Sequence, residues 1–306
     1  MTDRLKRERL ATEQRNIRSA DIDTRSIPEI LKIINEEDKG VAPAVEKVLP
    51  QVEQAVNLTV DSIKNGGRVF YLGAGTSGRL GVLDSSEIPP TFSAPRHIFQ
   101  GIIAGGEKAL TMSIEGAEDR AEDAVRDLKK GGLKSGDVLI GIATSSTTPY
   151  VLEGLRYGSS VGSRTVFLIC NPAPLVPVDV DVLVAIDVGR EVITGSTRMK
   201  SGTATKMVLN MISTATMVRL GKVYGNLMVD LKAVSQKLVD RATRIIRLLT
   251  SLSYEEAGDL LRQANLETKT AIVMHHKRCS YEEAVRLLDQ FDGFLRPIVE
   301  GNIKGS

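Results

Sequence analysis

Apolar positions along the chain fall into three regimes. Up to about Asn65 they recur at helical spacing. Ile30, Leu31, Ile33 and Ile34 share one face, and Val45, Val48, Leu49, Val52, Val56 and Ile63 continue in the same style. Ahead of the first series, Ser26, Pro28 and Glu29 have the spacing of a capping box, in which Ser and Glu each satisfy the other's free backbone N–H. From about Gly66 to Gly221 the pattern changes to short apolar runs at residues 69–72, 98–103, 138–142, 166–169 and 182–186. Several are nearly continuous rather than alternating, as strands are when both faces are covered in a parallel sheet. The stretches between them are long enough for crossover helices. From about Lys222 helical spacing returns. Ser-Tyr-Glu-Glu-Ala occurs at residues 253–257 and again at 280–284, each with Ser as N-cap and Glu256 or Glu283 reaching back. Two such short copies do not establish a repeat architecture.

These regimes predict an α/β protein. Residues 1–65 form an N-terminal helical segment, 66–221 a doubly wound parallel-sheet sandwich, and 222–306 a small helical bundle. A site in such a sheet lies at the carboxyl ends of the strands. Composition narrows the function more by exclusion than by direction. The 306 residues carry a net charge of +2, which favours no polyanionic partner. With no Trp and 4% aromatics, a base-stacking platform for nucleic acid is not expected. The two cysteines, Cys170 and Cys279, do not suggest a secreted disulfide scaffold. The opening residues Met-Thr-Asp-Arg-Leu-Lys-Arg-Glu-Arg-Leu lack the apolar core of a signal peptide, and no apolar run is long enough to span a bilayer. The expected location is the cytoplasm. His97, His275 and His276 make no metal-ligating constellation, and the cysteines lack zinc spacing, so no metal is expected.

Two loops carry the candidate chemistry. The run at 69–72 leads straight into Gly73-Ala74-Gly75-Thr76-Ser77-Gly78-Arg79-Leu80. Small residues let this backbone turn sharply and approach a ligand, and the following helix offers free N–H groups and the positive end of its dipole. Gly75, Thr76, Ser77 and Gly78 are therefore candidate phosphate-binding residues. The pattern is also near the dinucleotide fingerprint, with Glu107 as the possible ribose acceptor, but the hydroxyls of Thr76 and Ser77 favour a phosphate monoester. The second loop, Thr144-Ser145-Ser146-Thr147-Thr148-Pro149, follows the third run. A row of hydroxyls at the end of a buried strand needs partners, which makes Ser145, Ser146 and Thr148 candidates. A plain capped turn with Pro149 at a helix start is the rival for this loop taken alone. A third segment, residues 194–203, offers Ser196, Thr197, Arg198 and Lys200, with the cations suited to a phosphate or carboxylate.

A resemblance sharpens this. The middle zone resembles the sugar isomerase (SIS) domain, and the whole chain resembles the N-acetylmuramic acid 6-phosphate etherase family. The resemblance runs through Thr12-Glu13-Gln14-Arg15-Asn16, the loop at 73–83, and Asp84-Ser85-Ser86-Glu87-Ile88-Pro89-Pro90-Thr91. It continues through Ile103-Ala104-Gly105-Gly106-Glu107, Glu115-Gly116-Ala117-Glu118-Asp119, the segment at 194–203 and Lys222-Val223-Tyr224-Gly225-Asn226-Leu227-Met228-Val229-Asp230. It departs in the second loop, where the family usually carries Ser-Gly-Arg-Thr and this chain has Ser145-Ser146-Thr147-Thr148. Ser85 and Ile88 also replace a usual Ala and Cys.

The resemblance implies a lyase that removes the lactyl ether from a sugar phosphate by β-elimination, with no cofactor. It implies Glu87 as the acid that protonates the departing oxygen and Glu118 as the second active-site carboxyl, to which the role of base at C2 is assigned here. Proline disfavours helix in the residue before it, so the chain is expected to leave the first-loop helix near Glu87, ahead of Pro89-Pro90. Partial burial beside Ile88 is expected to keep Glu87 protonated. Ser77 and Glu87 are ten residues apart, about 15 Å if helical throughout. That exceeds the span of a hexose between its phosphate and C3, so Glu87 is expected to serve the site of a second copy in a homodimer. A non-catalytic sugar-phosphate sensor like the glucokinase regulatory proteins, and an aldose–ketose isomerase, are the alternatives on the same module.

Overall fold

The computed structural model describes Glu8, residues 10–231 and residues 235–301. Of the opening stretch read for a leader, residues 1–10, all but Glu8 and Leu10 lie outside the described residues. Among the described residues five strands form, at β1 (Val69–Gly73), β2 (Phe99–Ile103), β3 (Val138–Ile142), β4 (Arg164–Ile169) and β5 (Val182–Ala185). They make one parallel sheet in the order β2-β1-β3-β4-β5. In register, Val69 of β1 lies between Phe99 of β2 and Val138 of β3. The order reverses direction at β1, so the gap between the carboxyl ends of β1 and β3 is the switch point where such sheets hold ligands.

The five apolar runs become these strands because both faces are covered. All five residues of β1 and of β3 are buried. Phe70, Leu72, Leu139, Phe167 and Ile169 pack on one face with Leu128, Tyr150 and Leu155 from the helices Ala121–Gly131 and Pro149–Ser160. Each large side chain so enclosed contributes roughly 1.5–3 kcal/mol. Tyr71 alternates to the other face, and its hydroxyl donates to Asp84 Oδ2 at 2.9 Å. Asp84 also accepts from Asn210 Nδ2 at 2.7 Å and Ser213 Oγ at 3.2 Å. Burial raises the Asp84 carboxyl above its ordinary pKa despite these donors.

The helices read at the two ends of the sequence are present. Ile27–Asp38 carries its capping box, with Ser26 N–H donating to Glu29 Oε2 at 2.9 Å. Leu49–Lys64 follows. Both Ser-Tyr-Glu-Glu copies open helices, Tyr254–Gln263 and Tyr281–Gln290, through identical reciprocal caps. Residue contacts divide the chain into two compact units. One comprises the chain up to Ser86 together with His97–Ser213, and contains the sheet. The other comprises Glu87–Arg96 with the chain from Thr214, and has its own core of Ile246, Leu261, Ile272 and Leu295.

One expectation fails. The helix that begins at Gly75 does not end ahead of the prolines but runs to Phe92, with Pro89 and Pro90 inside it. A proline's fixed φ is itself helical, and its penalty is a lost bond and a clash at the carbonyl four residues earlier. Here only Thr91 and Phe92 follow the pair, so almost no helix depends on what they disrupt.

Candidate functional site

The loop after β1 turns through Gly75, at φ +53°, and enters the helix Gly75–Phe92. Close packing sets the next glycine. A Cβ on Gly78 would lie 2.6 Å from both Gly73 O and Ile103 Cγ1, so Gly78 lets the helix lie against the strand end. The loop after β3 ends at Thr148, in extended conformation as N-cap of Pro149–Ser160, with Pro149 at the first turn. Because β1 and β3 are neighbours, the two loops meet. Ser77 Oγ lies 3.5 Å from Thr144 Oγ1.

Between them opens a cavity of about 280 Å³. Gly75, Thr76 and Ser77 line it from the first loop, Ser145, Thr147 and Thr148 from the second, and Gly195 and Thr197 from the third segment. Glu118 and Asp119 border it as well. Glu118 sits on a short 3-10 turn, Ala117–Asp119, after Gly116 at φ +70°, and not on the following helix where its acidic neighbours Glu122 and Asp123 lie. The site thus receives two helix amino ends, whose unpaired N–H groups and dipoles favour an anion. No Lys, Arg or His is among the described residues lining it. Arg79, which follows the first loop, donates instead to Leu110 O and Met112 O, at 3.2 and 2.9 Å.

Several residues singled out in the sequence stand elsewhere. Gly78 acts in helix–strand packing. Ser146 is buried at φ +60°, and its Oγ accepts from Leu175 N at 3.0 Å. Arg198 is exposed and, like Ser196, does not line the cavity. Lys200 is buried, its Nζ donating to Glu37 Oε2 at 2.8 Å, so its ammonium is held inside the protein rather than offered to a ligand. Burial works to raise the Glu37 carboxyl, but hydrogen bonds from Lys200 and Asn16 outweigh it and hold it below the usual range. Beside this pair, the buried Glu191 carboxylate accepts from Lys200 N at 3.0 Å, Ser201 N at 2.9 Å and Ser201 Oγ at 2.7 Å, capping the helix Lys200–Arg219. Glu107 does not line the cavity. Glu87 is exposed, while the next residue, Ile88, is buried. The partial burial expected for Glu87 is absent in the single chain, because at this point of the helix the apolar neighbour takes the inward position.

The N-terminal stretch was missed as part of the site. Leu10 and Glu13 line the cavity. The motif around Glu13 was visible in the sequence, but a three-residue turn, Ala11–Glu13, has no periodicity to place it.

A sheet with this switch point and two hydroxyl-bearing helix starts defines a module of the SIS class. The profile of the glucokinase regulatory protein N-terminal SIS domain matches residues 51–159. Over nearly its whole length the chain is 50% identical to the N-acetylmuramic acid 6-phosphate etherase of Geobacillus thermodenitrificans, across 293 residues that cover 96% of this chain and 99% of that one. The enzyme of the same name from Rhodopirellula baltica is 50% identical over 287 residues, covering 94% and 95%. The chain belongs to the N-acetylmuramic acid 6-phosphate etherase family. Among solved structures, a phosphoheptose isomerase from Neisseria gonorrhoeae aligns with 62% of this chain and 99% of its own at 16% identity and a TM-score of 0.47.

Proposed function

We propose that this chain cleaves the D-lactyl ether of N-acetylmuramic acid 6-phosphate, giving N-acetylglucosamine 6-phosphate and D-lactate. The 6-phosphate sits at the amino ends of the two helices that start at Gly75 and Pro149, against the hydroxyls of Thr76, Ser77, Ser145 and Thr148. In the open-chain sugar the C1 aldehyde acidifies the C2 proton. The Glu118 carboxylate removes that proton as the C3–O bond breaks, and a C2–C3 double bond forms. Glu87 gives a proton to the departing lactyl oxygen. Water then adds across the double bond, its hydroxyl to C3 and its proton to C2. Two carboxyls in opposite protonation states are what such a sequence requires.

Family membership supports the reaction. What supports these roles most directly is that Glu118 opens on the same cavity as the hydroxyls of both strand-end loops. Glu87 acts in the site of a second copy of the chain. That copy would supply the low-dielectric surroundings that an exposed Glu87 lacks in the single chain. Lactate release from N-acetylmuramic acid 6-phosphate in water enriched in heavy oxygen tests the chemistry. The label is expected at C3 of the sugar, and label in lactate would reject elimination. An aldose–ketose isomerase would release no lactate at all. Mixing a Glu87→Ala chain with a Ser77→Ala chain tests the shared site, since one intact site then re-forms in each mixed dimer. Mixed dimers without recovered activity would rule it out.

A further inference from the structure

The stretch Thr12-Glu13-Gln14-Arg15-Asn16 takes no part in the chemistry above, yet its Glu13 lines the cavity. It is fastened on several sides. Ala11 N donates to Asn171 Oδ1 at 3.1 Å, and Asn171 Nδ2 donates to Thr144 O at 2.8 Å. One side chain thus joins this strap to the second hydroxyl loop. Gly195 N donates to Thr12 O at 3.0 Å, joining it to the third segment. Asn16 Nδ2 donates to Glu37 Oε2 at 2.9 Å, and Arg190 Nε donates to Gln14 Oε1 at 3.1 Å. Thr12 and Asn16 are buried, and between them the Glu13 side chain is left open to the cavity. Its Oε2 lies over Gly195, where a Cβ would stand 3.4 Å away.

Charge decides which part of a ligand Glu13 meets. A phosphate dianion is repelled by a carboxylate and is drawn to the helix amino ends. A carboxylate only accepts hydrogen bonds, so its partner must carry O–H or N–H groups. We propose that Glu13 is a substrate-binding, specificity-determining residue that accepts hydrogen bonds from the hydroxyl and amide N–H groups of the sugar. The N-terminal strap reads the sugar, while the strand-end loops hold the phosphate. This rests on the sugar-phosphate reading of the cavity.

Calorimetric binding of inorganic phosphate and of N-acetylglucosamine 6-phosphate to the full chain separates the two roles. Glu13→Ala is expected to weaken the sugar phosphate about tenfold, as for a lost hydrogen bond to a charged group. Inorganic phosphate should bind unchanged or more tightly, because a negative charge has been removed. Glu13→Gln keeps an acceptor without the charge and should fall between, and it carries the comparison if the alanine variant does not fold. Equal losses for both ligands would make the strap a structural support and overturn the proposal. An unaltered sugar-phosphate affinity would overturn it too. Wild-type protein that takes phosphate but refuses the sugar phosphate would overturn the reading of the cavity itself, a failure visible without any variant.

Discussion

Ser146 offers a test of backbone strain beside the cavity. It sits at φ +60°, a conformation that costs a residue with a Cβ about 1–2 kcal/mol. Its fully buried Oγ accepts from Leu175 N at 3.0 Å, which returns about 1 kcal/mol. The family usually carries Gly at this position, and the left-handed backbone shows why. Ser146→Ala keeps the strain and strands the Leu175 N–H, for a loss of about 1–3 kcal/mol. Ser146→Gly strands the same N–H but relieves the strain. After roughly 0.5–1 kcal/mol for the greater freedom of an unfolded glycine, it should be more stable than Ser146→Ala by about 1 kcal/mol. Urea unfolding of both variants, compared at equal slope, measures that difference. If the alanine variant matches or exceeds the glycine variant, the strain argument is wrong.

Other expectations follow from the same geometry. Thr147 lines a cavity with no basic lining residue among the described residues, and the family usually carries Arg there. Thr147→Arg should tighten inorganic phosphate about tenfold or more in calorimetry. Glu37→Gln leaves the Lys200 ammonium buried without its carboxylate and should cost about 3 kcal/mol at neutral pH. Because the folded pKa of Glu37 is lowered, its contribution is present above the ordinary Glu value of about 4.3 and is lost as pH falls through the lower folded value. Thermal melts should therefore show the gap between wild type and variant closing in acid, and a gap constant with pH contradicts the pairing. Asp84→Ala leaves the buried Tyr71 hydroxyl without its acceptor and should cost about 2–3 kcal/mol. Adding Tyr71→Phe should recover part of that loss, and strictly additive effects in the cycle would show that the two groups are not coupled.

The sheet was legible because burial on both faces removes alternation and leaves unbroken apolar runs. All five became strands, the run at 138–142 with both ends unchanged and the other four with one end shifted by one or two residues. The caps were legible because Ser and Glu three apart act within one turn. What depended on distant partners was not. Lys200 looks like a free cation among hydroxyls until Glu37, 163 residues away, is brought against it. The row of hydroxyls in the second loop reads as uniform, yet Ser145 and Thr148 face the cavity while Ser146 turns inward to Leu175. Gly78 resembles a phosphate-loop glycine, but its demand comes from the strand end beneath it. The prolines after Glu87 signalled a helix end, and their position within the last turn is what let the helix pass through them.

Glu191 bears on how such a protein can drift over generations. Its carboxylate already fills the amino end of the helix Lys200–Arg219, where an incoming anion would otherwise find a berth. While it stays, changes in the flanking hydroxyl-rich segment can alter which molecules enter without creating a rival resting place for their phosphate. A lineage that moved its ligand toward that helix would first have to lose this one acid, and then find another companion for the helix start it abandoned.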